Sequence, residues 1–181
     1  MMTRAFRFAP FAAVALLAAC AASAPKPTPP TVVIPSSLEV PNQVLARTLW
    51  ADGVQIYECH KRADASFPEW VLVGPEARLV DSTGTVVGRH YAGPTWAAND
   101  GSTVSGVVTA KFDAPNPHAI PWLLLKTHSN GKPGLFANVT AIQRVATVGG
   151  VAPESGCGTA TIGKQERVPY TAQYAQYAPA P

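Results

Sequence analysis

Frequent prolines and glycines are the feature that most limits what this chain can fold into. The 181 residues include 18 prolines and 14 glycines, and these separate short apolar runs along most of the sequence. Both residue types end helices and strands and favour turns. Many short elements joined by turns are typical of antiparallel β structure, so the sequence predicts an all-β domain.

Strand signals recur through the middle of the chain. Val54–Cys59 alternates between two faces, with Val54 and Ile56 on one and Gln55, Tyr57 and Cys59 on the other. A turn cluster at residues 81–84 separates two apolar runs and predicts a hairpin.

A second turn, Asn99-Asp100-Gly101-Ser102, is expected to join strands Thr95–Ala98 and Thr103–Phe112. Trp122–Leu125 is a continuous apolar run, typical of a strand buried on both faces. Together these signals predict a sandwich or irregular barrel of about eight to ten short antiparallel strands.

Three further segments have a weaker pattern. Val139–Val148 is a strand candidate that ends at a glycine pair, and Pro169–Tyr177, with its three tyrosines, is a candidate edge strand. Asn42–Leu49, directly after Pro41, is the one helix candidate.

The first twenty residues have the composition of a bacterial export signal. Arg4 and Arg7 precede an apolar stretch, Phe11–Ala19, which is shorter than the about 20 residues that span a bilayer. Leu17-Ala18-Ala19-Cys20 then matches a lipobox, which predicts a lipoprotein signal peptide over 1–19 and lipidation of Cys20.

An ordinary signal peptide, cut after Ala24, is the alternative. It is disfavoured because Pro25 would directly follow the cut. Under the lipoprotein interpretation, Ala21 in place of an aspartate favours sorting to the outer membrane of a Gram-negative host. The protein would then be anchored to that membrane by lipid and would face the periplasm or the cell surface.

The remaining chain divides by composition. Residues 20–37 are rich in proline and alanine, which predicts a semi-stiff tether. Residues 38–178 are expected to form a single β domain, and residues 179–181 a disordered tail.

Charge excludes one class of partner. The net charge is +3, and the signal-peptide residues Arg4 and Arg7 account for two of those positive charges. Because no cluster of lysine and arginine occurs elsewhere, the sequence does not indicate nucleic-acid binding.

Cys59 and Cys157 remain once Cys20 is assigned to lipid. In an oxidising compartment two cysteines most simply form one disulfide. The alternative is a pair of buried free thiols.

No CxxC or Cys-His spacing indicates a metal site, and no GxGxxG motif indicates a dinucleotide, so no metal or cofactor is expected.

Six runs of this chain, in the same order, resemble the domain-of-unknown-function family 3455, whose members are typically secreted proteins of this size. The runs are GVQIYEC (53–59), WVLVGPEARL (70–79), GRHYAGPTWAANDGSTVSG (88–106), IPWLLLK (120–126), IQRVATVGGVAP (142–153) and VPYTAQY (168–174). The family has no established activity that could be carried over. Its pattern does include cysteines at the positions of Cys59 and Cys157, which agrees with a disulfide.

His90 is the candidate for catalysis, because it lies in the densest of these runs. As a proton donor or ligand it would need an acidic partner such as Glu76 or Asp100. A hydrogen bond from the imidazole to a neighbouring loop is the alternative. His60, His118 and His128 are expected at the surface or in loops.

Aromatic side chains suggest a different site. Trp96 follows a Gly-Pro turn and, with Tyr91, could present a platform for a sugar ring, whereas Trp70 and Trp122 lie in apolar runs typical of a core. Arg144 is a charge within a strand, so it is expected to pair with a carboxylate, Glu76 or Asp100, or to clamp a backbone carbonyl.

The sequence thus favours an exported lipoprotein of the cell envelope. Its β domain would bind a small molecule or glycan, or serve a structural role, without catalysis. The competing hypothesis is a hydrolase or metal-dependent enzyme that uses His90 with an acidic partner.

Overall fold

Eight antiparallel strands close into a barrel in this computed structural model, which describes residues 32–63 and 65–181. Each strand pairs with its neighbours along the chain, and the last pairs with the first. The strands are β1 (Gln43–His60), β2 (Glu69–Val80), β3 (Val86–Tyr91), β4 (Thr95–Ala98), β5 (Thr103–Phe112), β6 (Trp122–Ser129), β7 (Ala141–Gly149) and β8 (Gln165–Pro179). The prediction of an all-β domain is confirmed, and a barrel is the architecture that the chain adopts.

The two longest strands, β1 and β8, close the ring. They pair from Gln43–Pro179 to Glu58–Gln165, and β1 also pairs with β2 from Trp50 onward. The prediction of a helix at Asn42–Leu49 is therefore wrong, because Asn42 lies in a turn and Gln43–Leu49 begin β1, where pairing with β8 outweighs a weak local helix preference. The tail is a strand as predicted, but not an edge strand, since β8 pairs with both β1 and β7.

Both predicted hairpins are confirmed. Between β2 and β3, the Asp81 carboxylate accepts hydrogen bonds from the backbone N–H groups of Thr83 and Thr85. Between β4 and β5, Asp100 accepts the Ser102 N–H at 2.9 Å, and Gly101 has the positive φ of 88° that this turn requires.

Alternate side chains of every strand fill the inside of the barrel, as strand geometry dictates. The interior core includes Leu49, Leu79, Leu125, Ile142 and Tyr170, all nearly or fully buried. The interior also holds buried polar side chains, among them Gln55 and His90, and these line the candidate site.

The segment before β1 covers part of the outer surface. A 3₁₀ helix, Ser36–Leu38, places Leu38 against Trp122 and Val145 on the outer face of the sheet. Gln143 reinforces this contact, since its Nε2 donates to the Leu38 carbonyl at 2.6 Å. Val32 and Ile34, which fall within the predicted tether, are partly buried against the same cluster.

Cys59 and Cys157 form a disulfide, with Cα atoms 5.3 Å apart, as the sequence predicts. The bond ties the end of β1 to the loop that precedes a second 3₁₀ helix, Thr159–Thr161. The predicted signal peptide, Cys20 and most of the predicted tether lie outside the described residues. Among the residues that the structure describes, no helix has the length and apolar character needed to cross a membrane.

Candidate functional site

A cavity of about 290 Å³ lies inside the barrel, and every strand contributes to its lining. Most of the lining is apolar, including Pro75, Leu123 and Leu125. Leu72, Val73 and Val108 also line the cavity and are about half exposed, so they form an apolar mouth. An eight-stranded barrel is just wide enough to hold one small ligand, so this cavity is the candidate functional site.

Three aromatic rings pack together along the cavity wall. The His90 imidazole lies against the Trp96 indole, with centroids 4.3 Å apart and an angle of 12° between the planes. The Tyr174 ring meets both edge-on, at 5.0 Å from His90 and 5.3 Å from Trp96. Gly106 makes this arrangement possible, because a Cβ at that position would lie 3.0 Å from the Trp96 ring.

His90 is held in its neutral form. Its exposed fraction is 2%, and burial lowers its pKa to about 3, with the charge of Arg144 acting in the same direction. Its Nδ1 lies 2.8 Å from the Thr95 carbonyl oxygen. A carbonyl can only accept, so Nδ1 carries the proton and Nε2 is left as an acceptor.

Arg144 brings a positive charge to the same cavity. It lies on β7 between Leu123 and Tyr174 in the strand register. Its Nε and Nη2 both donate to the Pro121 carbonyl, at 3.1 and 2.8 Å. This is the carbonyl clamp that was one of the two alternatives predicted for Arg144. Arg144 forms no ion pair with any carboxylate of residues 32–63 or 65–181.

Two lining residues carry buried donors without partners. Neither Gln55 Nε2 nor Trp96 Nε1 has a hydrogen-bond partner within the described part of the chain. An unpaired buried donor costs about 1–3 kcal/mol. Such groups in a cavity wall are positioned to bind an incoming acceptor.

The proposed acidic partners of His90 are engaged elsewhere. Glu76 points to the outer surface and pairs with Arg167 at 3.0 Å. Asp100 belongs to the turn after β4, where it accepts hydrogen bonds from Ser102 and from the backbone N–H of Leu135. These bonds hold the pKa of Asp100 below its usual value. The structure therefore brings His90 together with Arg144 and Trp96, but not with Glu76 or Asp100.

The predicted aromatic platform is split between the two sides of the sheet. Trp96 is 1% exposed and lies inside, whereas Tyr91, next to His90, is 36% exposed on the outer face. The Arg89 guanidinium lies 5.3 Å from the Tyr91 ring centroid. Trp122 lies in the cluster under Leu38, and Trp70 donates to the Ser155 carbonyl at 2.9 Å.

The other histidines, His60, His118 and His128, are exposed, as expected. In the two described ranges, no group of three or more His, Cys, Asp and Glu side chains is placed to hold a metal ion.

Sequence reasoning missed Gln55 and Tyr174, which complete the polar part of the cavity. The signal for Gln55 was its place in the alternation of β1, because Gln55, Tyr57 and Cys59 share one face and all three are buried. A similar pattern in β8 places Tyr170, Ala172 and Tyr174 inside. Polar and aromatic residues on the inward faces of β1 and β8 are therefore the sequence signal that could have indicated this part of the site.

Comparison with known proteins gives a family but no described activity. No curated protein and no solved structure matches the chain. The family model described as "Protein of unknown function (DUF3455)" matches residues 40–178, which include all but the first 3₁₀ helix and the ends of the chain. Because this match covers most of the sequence, the chain belongs to the DUF3455 family.

Proposed function

We propose that this protein is an exported lipoprotein of the cell envelope whose barrel binds a small, mainly apolar molecule. The observation that carries the proposal is the cavity of about 290 Å³ with apolar walls, an apolar mouth and unpartnered donors. Known ligand sites have this combination, with mostly hydrophobic walls and a few polar groups that orient the ligand. The volume is about twice that of a cavity of about 150 Å³ that takes up benzene.

The interior site is favoured over a surface site for glycans. Trp96, the better of the candidate stacking residues, is buried beside His90 and is not displayed on the outer surface. Tyr91 is exposed, but it lies across the sheet from Trp96 and cannot share a platform with it. The ligand would instead enter between Leu72, Val73 and Val108.

Binding is also favoured over catalysis. A general acid or base works best when its pKa lies near the operating pH and when a partner group orients it. His90 has a pKa of about 3 and hydrogen bonds to a backbone carbonyl, while Glu76 and Asp100 are engaged elsewhere. Its flat face, stacked on Trp96, provides a wall for a ligand.

Two features support a place in the envelope. The lipobox Leu17–Cys20 predicts an acyl anchor at the start of the mature chain. The Cys59–Cys157 bond is of a kind that forms and persists in oxidising compartments. We infer that the barrel is tethered by Cys20 to the outer membrane and samples small molecules near it.

Binding can be tested with the neutral fluorescent dye N-phenyl-1-naphthylamine and the mature chain carrying Cys20→Ser, which needs no detergent. Val108→Trp places a large ring at the mouth, whereas Val107→Trp is the matched control, since Val107 is 72% exposed on the opposite face of β5. Saturable dye fluorescence is expected with the parent chain and Val107→Trp, but not with Val108→Trp. Equal dye binding by both variants, or none by the parent, would contradict the proposal.

A further inference from the structure

We propose that the ligand of this cavity is a monocarboxylate, with its carboxylate bound by Arg144 and its apolar body against the His90–Trp96 stack. This inference rests on the proposed function, because it names the chemistry of the molecule that the barrel would bind. Four observations carry it: the uncompensated charge of Arg144, the donor character of the unpaired polar atoms, the presence of one cation in the described lining, and the apolar nature of the walls.

The charge of Arg144 is not neutralised by the described part of the protein. Arg144 is partly buried and lines the cavity, and its hydrogen bonds within the described protein go to neutral groups, the Pro121 carbonyl and the Tyr174 hydroxyl. The ion pairs that carboxylates form with arginines in the described barrel, such as Arg78–Asp52 and Arg167–Glu76, lie at the surface. A partly buried cation without a counter-ion is costly, so an anion at this position would stabilise the folded barrel.

Apart from Nε2 of His90, which is an acceptor, the unpaired polar atoms that the described residues place around the cavity are donors. Gln55 Nε2 and Trp96 Nε1 lack partners in the part of the chain that the structure describes, and Arg144 has N–H groups beyond the two that Pro121 accepts. These donors, one of them positively charged, are complementary to an anionic oxygen acceptor. An ammonium group or another cation would instead meet repulsion from Arg144.

One cation fits a ligand with one negative charge. A phosphate monoester carries between one and two charges near neutral pH and commonly needs several donors and cations. Among residues 32–63 and 65–181, Arg144 is the one Lys or Arg residue in the cavity lining. The planar fork of a guanidinium matches the planar fork of a carboxylate, which makes a carboxylate the better partner.

The remaining residues of the cavity lining favour a ligand whose part beyond the carboxylate is apolar. Leu123 and Leu125 face the cavity beside Arg144, and the His90 and Trp96 rings form a flat wall. Since His90 is neutral, this wall adds no second charge. A compact aromatic or branched aliphatic acid matches both the walls and the volume of about 290 Å³.

The test compares two probes of the same shape, 2-naphthoate and the neutral 2-naphthamide, by isothermal titration calorimetry at pH 7.5. The mature chain with Cys20→Ser is expected to bind the naphthoate at least about 10-fold more tightly than the amide. Arg144→Met should abolish this preference. Arg89→Met is the matched control, because it removes an arginine from the outer face beside Tyr91, and the preference should persist.

Arg144→Lys guards against loss of folding in Arg144→Met, since it retains the charge and should retain part of the preference for the acid. Near-ultraviolet circular dichroism verifies the fold of each variant. Equal affinity for acid and amide, or binding of neither while N-phenyl-1-naphthylamine still binds, would overturn the carboxylate assignment alone. Failure of the dye as well would overturn the proposed function and this inference together.

Discussion

The imidazole of His90 lies almost flat on the indole of Trp96, 4.3 Å away, inside the barrel. Stacking on an indole face would favour a protonated imidazole, because the ring face attracts cations. Burial acts in the opposite direction and dominates, and the charge of Arg144 adds to it, so the pKa of His90 falls to about 3. The pair therefore acts as a neutral wall, and this has a consequence for stability in acid.

We predict that His90 destabilises the folded protein between pH 6.5 and pH 3. The unfolded imidazole takes up a proton near pH 6.5, whereas the folded one does so near pH 3. The unfolded state binds more protons within this window, so the free energy of unfolding falls as the pH is lowered, by up to about 1.4 kcal/mol per unit. Above pH 6.5 the imidazole is neutral in both states, so its contribution to the free energy of unfolding no longer changes with pH.

Urea denaturation at a series of pH values measures this effect. His90→Gln should show a shallower loss of stability between pH 6 and pH 4 than the parent chain, whatever its stability at neutral pH. His128→Gln is the control, because His128 is exposed on β6, and its curve should run parallel to that of the parent. Parallel curves for the parent and His90→Gln would refute the prediction.

The disulfide should contribute a large part of the stability. Cys59 and Cys157 are 98 residues apart, and a cross-link closing a loop of about 100 residues is worth about 4.7 kcal/mol in the chain-entropy model. Cys59→Ser combined with Cys157→Ser is expected to lower the free energy of unfolding by about 2–5 kcal/mol. Reducing agent should destabilise the parent to a similar extent and leave the double variant unchanged. Stability that is insensitive to both treatments would contradict this.

Membrane attachment is predicted to depend on Cys20 alone among the three cysteines. Cys20→Ser removes the residue that the lipobox would acylate, so the protein should leave the membrane fraction and partition into the aqueous phase with the detergent Triton X-114. The Cys59→Ser/Cys157→Ser variant should remain in the membrane fraction if it accumulates. Metabolic labelling with a radioactive fatty acid gives a direct measurement, and incorporation into Cys20→Ser would contradict the assignment.

Local features of the sequence accounted for the hairpins. The turn at 99–102 is specified by Asp100 and Gly101, and both flanking strands have the bounds that the sequence predicted. Trp122–Leu125 likewise belongs to a strand, β6, with Trp122 and Leu125 buried. Such elements are encoded by neighbouring residues, which is why they could be predicted.

Ring closure is what the sequence did not reveal. Residues 43–49 have a weak local preference, and their extended conformation depends on β8, more than 120 residues later in the chain. The same closure decides which face of β1 is buried. Val54 and Ile56 are more apolar than Gln55 and Tyr57, yet the face of Gln55 and Tyr57 lies inside.

Only part of the candidate site could be predicted from the sequence, because the ring closure brings its other residues together. His90 and Trp96 share a hairpin and could be recognised together, as the densest run of the resemblance contains both. Arg144 reaches them only because β7 lies across the barrel interior from β3 and β4 in the ring. No spacing in the sequence connects these residues, so the sequence alone does not indicate that Arg144, and not Glu76 or Asp100, lies beside His90.

Two buried glutamines, Gln55 and Gln176, allow the effect of an unpaired donor on protein stability to be measured separately from its effect on ligand binding. Gln55 and Gln176 are 1% and 0% exposed, and each has an Nε2 without a partner in the described ranges. Replacement by methionine retains the approximate shape and removes the unpaired donor, so Gln55→Met and Gln176→Met should each raise the free energy of unfolding by about 1 kcal/mol or more.

The two variants should differ in binding, because Gln55 lines the cavity and Gln176 is not part of its lining. Gln55→Met is expected to weaken 2-naphthoate binding by about 5- to 10-fold, the loss of one hydrogen bond to a charged acceptor, while Gln176→Met leaves it unchanged. Thermal melts and calorimetry on the same samples measure both quantities. If Gln55→Met stabilised the barrel and yet bound 2-naphthoate with the affinity of the parent chain, that result would exclude the Gln55 amide from ligand binding. Arg144 and Trp96 would then be the remaining donors for the ligand.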